Sequence, residues 1–182
     1  MIETFKNLIG YLKNPVLKKD DNIDLKYRFK IFFQLLLICI LTGLILSPIF
    51  ALFDALDWIY LKDHKVDMLF KNMTEVQILL LGALLLPIVE EMIFRAPLAL
   101  FKKATTFKIA FYAFTLLFGF MHINNFETTN SVLFLAPILV LPQILVGAYF
   151  GYIRVRFGLL WSILLHGSYN AVFIILSFIP EF

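Results

Sequence analysis

The sequence predicts an all-α, polytopic transmembrane bundle of about five spans, with the N-terminus inside and the C-terminus outside. Three observations predict it. Of 182 residues, 61% are hydrophobic and only 16% charged, against about 25% charged in a typical soluble domain. The mean hydropathy is +0.87. Long runs nearly free of charge recur along the chain, and the lysines and arginines gather in alternate gaps between them. The lone Cys39 lies within an apolar run, which excludes a disulfide framework. The net charge of +3 is modest, and no nucleic-acid partner is expected.

Residues 1–30 form a polar N-terminal segment, expected on the cytoplasmic side. Within it "FKNLIGYLKNPVL" reads either as a short interfacial helix, with Phe5, Leu8, Ile9 and Leu12 on one side, or as a loosely ordered tail. Residues 31–182 read as the transmembrane domain. The first span, Ile31 to Phe53, is too long for a signal-peptide core. The second runs from about Val76 into "EEMIFR", and Pro97 predicts a sharp helix end just beyond it. The third lies between Lys108 and Glu127. The fourth covers Val132 to about Ile153, with Pro137, Pro142, Gly147 and Gly151 inside it. The fifth runs from Phe157 to about Ile179. Each is near the roughly 20 residues a span needs. Helices are the only open structures that satisfy the backbone in lipid.

The basic residues orient this map. With the N-terminus inside, seven basic residues of the first 30 lie inside, together with Arg95, Lys102, Lys103, Lys108, Arg154 and Arg156. Lys62, Lys65 and Lys71 lie outside, in a loop with Asp54, Asp57, Asp63, Asp67 and Glu75. The asymmetry fits the positive-inside rule for an odd number of spans.

Polar residues inside the spans are the candidates for function. Glu91 and Arg95 are four apart and share a helix face, where they can neutralise each other. Glu90 is rotated about 100° away and needs a different partner. His122 follows Phe118 by four residues in the third span. His166 and Asn170 are four apart in the fifth, beside the small Gly167 and Ser168. One cavity lined by Glu90, Glu91, His122, His166 and Asn170 is the economical arrangement. A carboxylate and imidazoles can activate water for attack on a carbonyl, and an Asn or His can donate to the oxyanion. Glu90, His122 and His166 could instead hold zinc or another divalent metal. The same residues also suit a proton-coupled transporter with Glu90 as carrier, or a structural or immunity protein. Spacing alone does not choose. Depth raises a conflict. At 1.5 Å per residue, Glu90 and His166 come out roughly 10 Å from the cytoplasmic side and His122 about 20 Å.

"EEMIFR", "FGFMH" and "HGSYN" then fall into a familiar order. They resemble the Glu-Glu-x-x-x-Arg, Phe-x-x-x-His and His-x-x-x-Asn motifs of the CPBP intramembrane proteases. That family includes the CAAX prenyl endopeptidases and the Abi proteins linked to bacteriocin immunity. The resemblance covers Pro87 to Asn170, within a CPBP-like core from about 76 to 180. It implies that Glu90 activates the hydrolytic water with His122, and that Arg95 braces Glu91. It gives His166 and Asn170 the substrate carbonyl and oxyanion, and Phe118 a supporting place. The family is filed as metalloproteases, yet its geometry also suits a metal-free glutamate mechanism. The implied partners are a membrane-associated protein or peptide substrate and the lipid bilayer. The chain is shorter than the larger members, so a further membrane subunit is an expectation too. The expected location is a bacterial cytoplasmic membrane, with the site opening toward the cytoplasm. A non-catalytic relative in immunity or membrane interaction is the alternative reading.

Overall fold

In the computed structural model, which describes residues 1–60 and 69–179, every regular element among the described residues is helical. Lys62 and Lys65 of the expected outer loop lie outside the described residues. Five helical stretches are long and apolar enough to cross a membrane: Leu25–Ala55, Glu75–Leu100, Ala104–Asn125, Asn130–Phe157 and Leu159–Ser177. The chain is an integral, multi-pass membrane protein. Large apolar side chains such as Ile45, Leu100, Ile109 and Phe134 remain exposed on its outside, as a lipid-facing surface requires.

The first helix, α1 (Ile2–Lys13), precedes the spans. It is a helix rather than a loose tail, and Phe5 on it stays 46% exposed. Its inward face is Thr4, Leu8 and Tyr11. Thr4 Oγ1 donates to Gln34 Oε1 at 2.6 Å, Leu8 is fully buried, and Tyr11 meets Phe111 and Tyr152 edge-on. The loop after it is tied down by Arg156, which pairs with Asp20 and bonds to Tyr27 and Tyr152.

The first span is α2 (Leu25–Ala55), capped by Asp24, whose side chain accepts from Lys26 N at 3.1 Å. The second is composite. A capping box of Thr74 and Gln77 starts α3 (Glu75–Leu79), a π-helical turn follows at Leu80–Leu85, and α4 (Leu86–Phe94) completes it. A 3₁₀ turn at Ala96–Leu100 then replaces the α-helix, where Pro97 has no N–H to continue the α-helical ladder. The third span is α5 (Ala104–Met121) with a 3₁₀ extension at His122–Asn125. The fourth is broken at Val140 into α6 (Asn130–Leu139) and α7 (Leu141–Phe157), with Pro142 in the first turn of α7 where its missing N–H costs nothing. Gly158, at φ +108°, ends α7 and admits α8 (Leu159–Ser177).

Successive spans alternate in direction. Contacts between α5 and α7 are antiparallel: a Cβ on Gly151 would meet Phe111, one on Gly147 would meet Phe118, and one on Gly119 would meet Ile144. Lys103, Lys108, Arg154 and Arg156 therefore share one end of the bundle, here the basic end, with the loop joining α1 to α2. Asp54, Lys71, Glu75 and Glu127 share the other. The main core joins α1, α2, α7 and α8 through Leu8, Leu35, Cys39, Phe150, Ile153 and Leu165. A second cluster at the far end packs Phe53, Ile59 and Phe126 with Val132, Leu135 and Leu139.

Candidate active site

The site begins with a carboxylate that has no water to lean on. Glu91 on α4 is fully buried. Its Oε1 lies 3.3 Å from Arg95 Nη1, one helical turn on, and 3.0 Å from His166 Nδ1 on α8. A carboxylate oxygen only accepts, so His166 Nδ1 carries the proton in that bond. Arg95 is itself buried, at 2% exposure. Its Nη2 donates to Gly147 O at 3.0 Å, and its guanidinium sits 3.8 Å over the Phe118 ring. Only glycine fits at 147: a Cβ there would stand 2.6 Å from Phe118 Cδ1 and 2.8 Å from Arg95 Nη2. Arg154 Nε donates to Arg95 O at 3.2 Å and closes the basic end over the pair.

This buried bracket fixes His166. Its ring stacks on Phe150 at 4.5 Å and meets the edge of Phe118 at 5.6 Å. With Nδ1 engaged, Nε2 points to Glu90, 3.6 Å from Oε2. Glu90 Oε2 is buried and makes no hydrogen bond. Glu90 and Glu91, adjacent in sequence, thus do different things. Glu91 aims the histidine from behind, and Glu90 meets its reactive edge.

His122 caps α5, with Nδ1 2.8 Å from Phe118 O. A carbonyl only accepts, so this nitrogen is again the donor. Phe118 lies between the two histidines, 4.8 Å from the His122 ring. Asn170 Nδ2 donates to Gly82 O at 2.9 Å, which has a local cause. In the π turn the Leu86 N–H goes back five residues to Leu81 O. The next such bond, to Gly82 O, would have to come from Pro87, which has no N–H. Asn170 supplies the missing donor from the neighbouring helix. Gly167 allows the approach, since a Cβ there would fall 2.4 Å from Ala83 O.

Glu90, His122, His166 and Asn170 line one cavity of about 480 Å³. The depth conflict dissolves because α4 stops far from the basic end. Arg95 stacks on Phe118, fourteen residues into α5, and residues 96–103 cover the remaining height outside an α-helix. One expectation needs correcting. Glu91 does not line the cavity: it is wholly buried behind it. The lining extends from Phe150 and His166 past Asn170 to Phe70, Asn125 and Ile174.

The sequence reading missed Gln143. It lines the cavity, and its Oε1 is buried without a hydrogen-bond partner. The signal was available: a lone amide directly after Pro142 in an otherwise apolar span. Tyr169 also lines the cavity, beside Asn170 in sequence. As for a metal, no three His, Cys, Asp or Glu side chains among the described residues are arranged to hold one. The observed pairing is two-sided, Glu90 with His166.

A family model described as "Type II CAAX prenyl endopeptidase Rce1-like" matches residues 72–172, just over half of the chain, and spans Glu90, Glu91, Arg95, His122, Gln143, His166 and Asn170. No curated protein and no solved structure matches.

Proposed function

Because the chain belongs to the Rce1-like family of type II CAAX prenyl endopeptidases, a protease family, we propose that it is an intramembrane endopeptidase in which Glu90 and His166 together activate water. The observation that carries this is the unbonded Glu90 Oε2 set 3.6 Å from His166 Nε2, with the other edge of that imidazole locked by Glu91. Two acceptors at this spacing suit one water between them. The water donates one O–H to each and turns a lone pair toward a substrate carbonyl. The geometry favours His166 over His122 as the partner of Glu90.

Glu90 takes a proton as the water oxygen bonds to the carbonyl carbon. The oxyanion receives the second N–H of Asn170, whose first is held by Gly82 O. His122 presents its outer ring edge to the same cavity. The tetrahedral carbon then expels the amine, the C–N bond breaks, and protonated Glu90 returns its proton to the leaving nitrogen. The substrate is a membrane-associated protein or peptide, and the host membrane is a bacterial cytoplasmic membrane.

The test is a comparison of membrane-protein N-termini in cells carrying wild type or Glu90→Gln at matched protein level. Termini present only with wild type are expected, and they name the substrates. An identical set of termini, with any phenotype intact, would replace this reading with a non-catalytic interaction or immunity role.

A further inference from the structure

We propose that Gln143 is a substrate-binding residue of this site, whose Oε1 accepts a backbone N–H of the substrate about three residues from the bond that is cut. It thereby sets which bond reaches Glu90. The inference rests on the peptidase reading above.

The fourth span breaks at Val140, and Pro142 and Gln143 lie in the first turn of α7. There α7 meets α5 at close range. A Cβ on Gly119 would stand 2.3 Å from Ile144 Cγ1 and 3.2 Å from Ile144 N. That approach fixes the start of α7 against the end of α5 that carries His122. Gln143, Val146 and Phe150, at i, i+3 and i+7, then share one face of α7 and line the cavity. Gln143 Oε1 is buried on that face and has no hydrogen-bond partner. An amide oxygen held out of water without a donor is costly, and an apolar side chain of the same size would avoid the cost. The bond is therefore assigned to a molecule that enters the cavity.

A peptide substrate brings the donor. A helix keeps its N–H and C=O groups in its own ladder, so water at Glu90 can attack only where the chain is unwound. An unwound segment carries N–H groups without partners, and inside a membrane-spanning bundle these need acceptors. Asn170 is placed to donate to the carbonyl, and Gln143 Oε1 is an acceptor not otherwise engaged. The spacing gives the subsite. His166 stacks on Phe150, and Gln143 lies seven residues before Phe150, roughly 10 Å along α7. An extended chain covers about 10 Å in three residues. Gln143 thus grips the chain away from the reacting atoms. A bond made equally in the ground state and the transition state acts on KM rather than kcat. That separates Gln143 from Asn170.

The experiment has two stages. Membrane-protein N-termini are first compared in cells carrying wild type, Glu90→Gln or Gln143→Met at matched protein level. Methionine keeps the length of glutamine and removes the acceptor, and Gln143→Leu replaces it if the level cannot be matched. A peptide spanning the strongest cut is then assayed with purified full-length wild type and Gln143→Met in detergent. Versions of that peptide carry an ester oxygen in place of one N–H, at successive positions on either side of the cut. Gln143→Met is expected to unfold at or above the wild-type temperature and to lose about tenfold in kcat/KM, through KM. One ester position should cost wild type about tenfold and cost Gln143→Met nothing. Wild-type kcat/KM in Gln143→Met, or the same ester penalties in both proteins, would overturn the proposal. So would a joint fall in kcat and unfolding temperature, which marks a structural part. Identical termini in wild type and Glu90→Gln would remove the peptidase reading and this one with it. Termini lost with Glu90→Gln but unchanged in position and rate with Gln143→Met would remove this one alone.

Discussion

At the residue scale, two adjacent glutamates test whether position or chemistry governs this site. Glu91 holds a buried arginine and a histidine and touches nothing in the cavity. Removing it strands a buried guanidinium, which typically costs about 3–5 kcal/mol. We expect Glu91→Ala to unfold in detergent at a clearly lower temperature than wild type. Glu90→Gln removes a carboxylate with no hydrogen-bond partner at Oε2 and is expected to unfold near the wild-type temperature. Its cleavage rate should fall by about 10² or more, the lower range for a lost general base, measured on a substrate found by the terminus comparison. A parallel fall in stability for both variants would contradict the division of labour. Asn170→Ala has two expected effects. It should slow turnover by about 10², as loss of an oxyanion donor does. It should also cost about 1–3 kcal/mol, because Gly82 O loses its donor inside the bundle.

At the scale of elements, close approach does the positioning. Glycines 147 and 167 each stand where a methyl group would collide, the first with Phe118 and Arg95, the second with the Ala83 carbonyl. Overpacking of this kind costs about 1–3 kcal/mol. Gly167→Ala is the more informative change, since its clash is with backbone and no side chain can swing aside. It should push α8 off the π turn and weaken the bond from Asn170 to Gly82 O. We expect lower turnover and a lower unfolding temperature together, while Gly10→Ala, with open space around it, should change neither. The π turn shows how a proline can be used. Pro87 withholds one N–H, and that single vacancy directs Asn170 to the wall of the cavity.

At the scale of the whole molecule, five alternating spans put the start of α2 and the end of α8 on opposite faces. We propose that the start is cytoplasmic. A topology reporter inserted near residue 20 and one placed after Ser177 should report opposite sides of the membrane. Agreement between them would exclude five spans. Arg156, braced by Tyr152, ties the loop between α1 and α2 to the bundle through Asp20 and Tyr27, beside the bonds from Tyr112 to Leu12 O and from Lys108 to Asn14. Arg156→Ala should leave the site intact and expose residues 14–24 to limited proteolysis. Unchanged proteolysis would show that burial of Leu8 and the Tyr11 contacts suffice to hold α1.

What the sequence determined by itself was the set of spans, their alternation and the residue types of the site. Lipid leaves the backbone no choice but helix, so apolar runs map onto spans. A polar or ionisable residue in such a run is too costly to keep without a use, so Glu90, Glu91, Arg95, His122, His166 and Asn170 stood out. The proline at 97 marked the end of α4 for the same local reason. Tertiary structure alone decided the rest. Which glutamate meets the cavity depends on where α8 lies against α4, and a 100° rotation between neighbours does not say which way the bundle is. The π turn depends on a bond from another helix. The burial of Thr4 and Leu8 depends on α2 and α7, so the inward face of α1 was not legible in the sequence. The extent of the cavity depends on where four helices close together and where they part. That is a property of side-chain volumes meeting across space, here Phe118, Phe150 and Arg95, and one-dimensional spacing does not contain it.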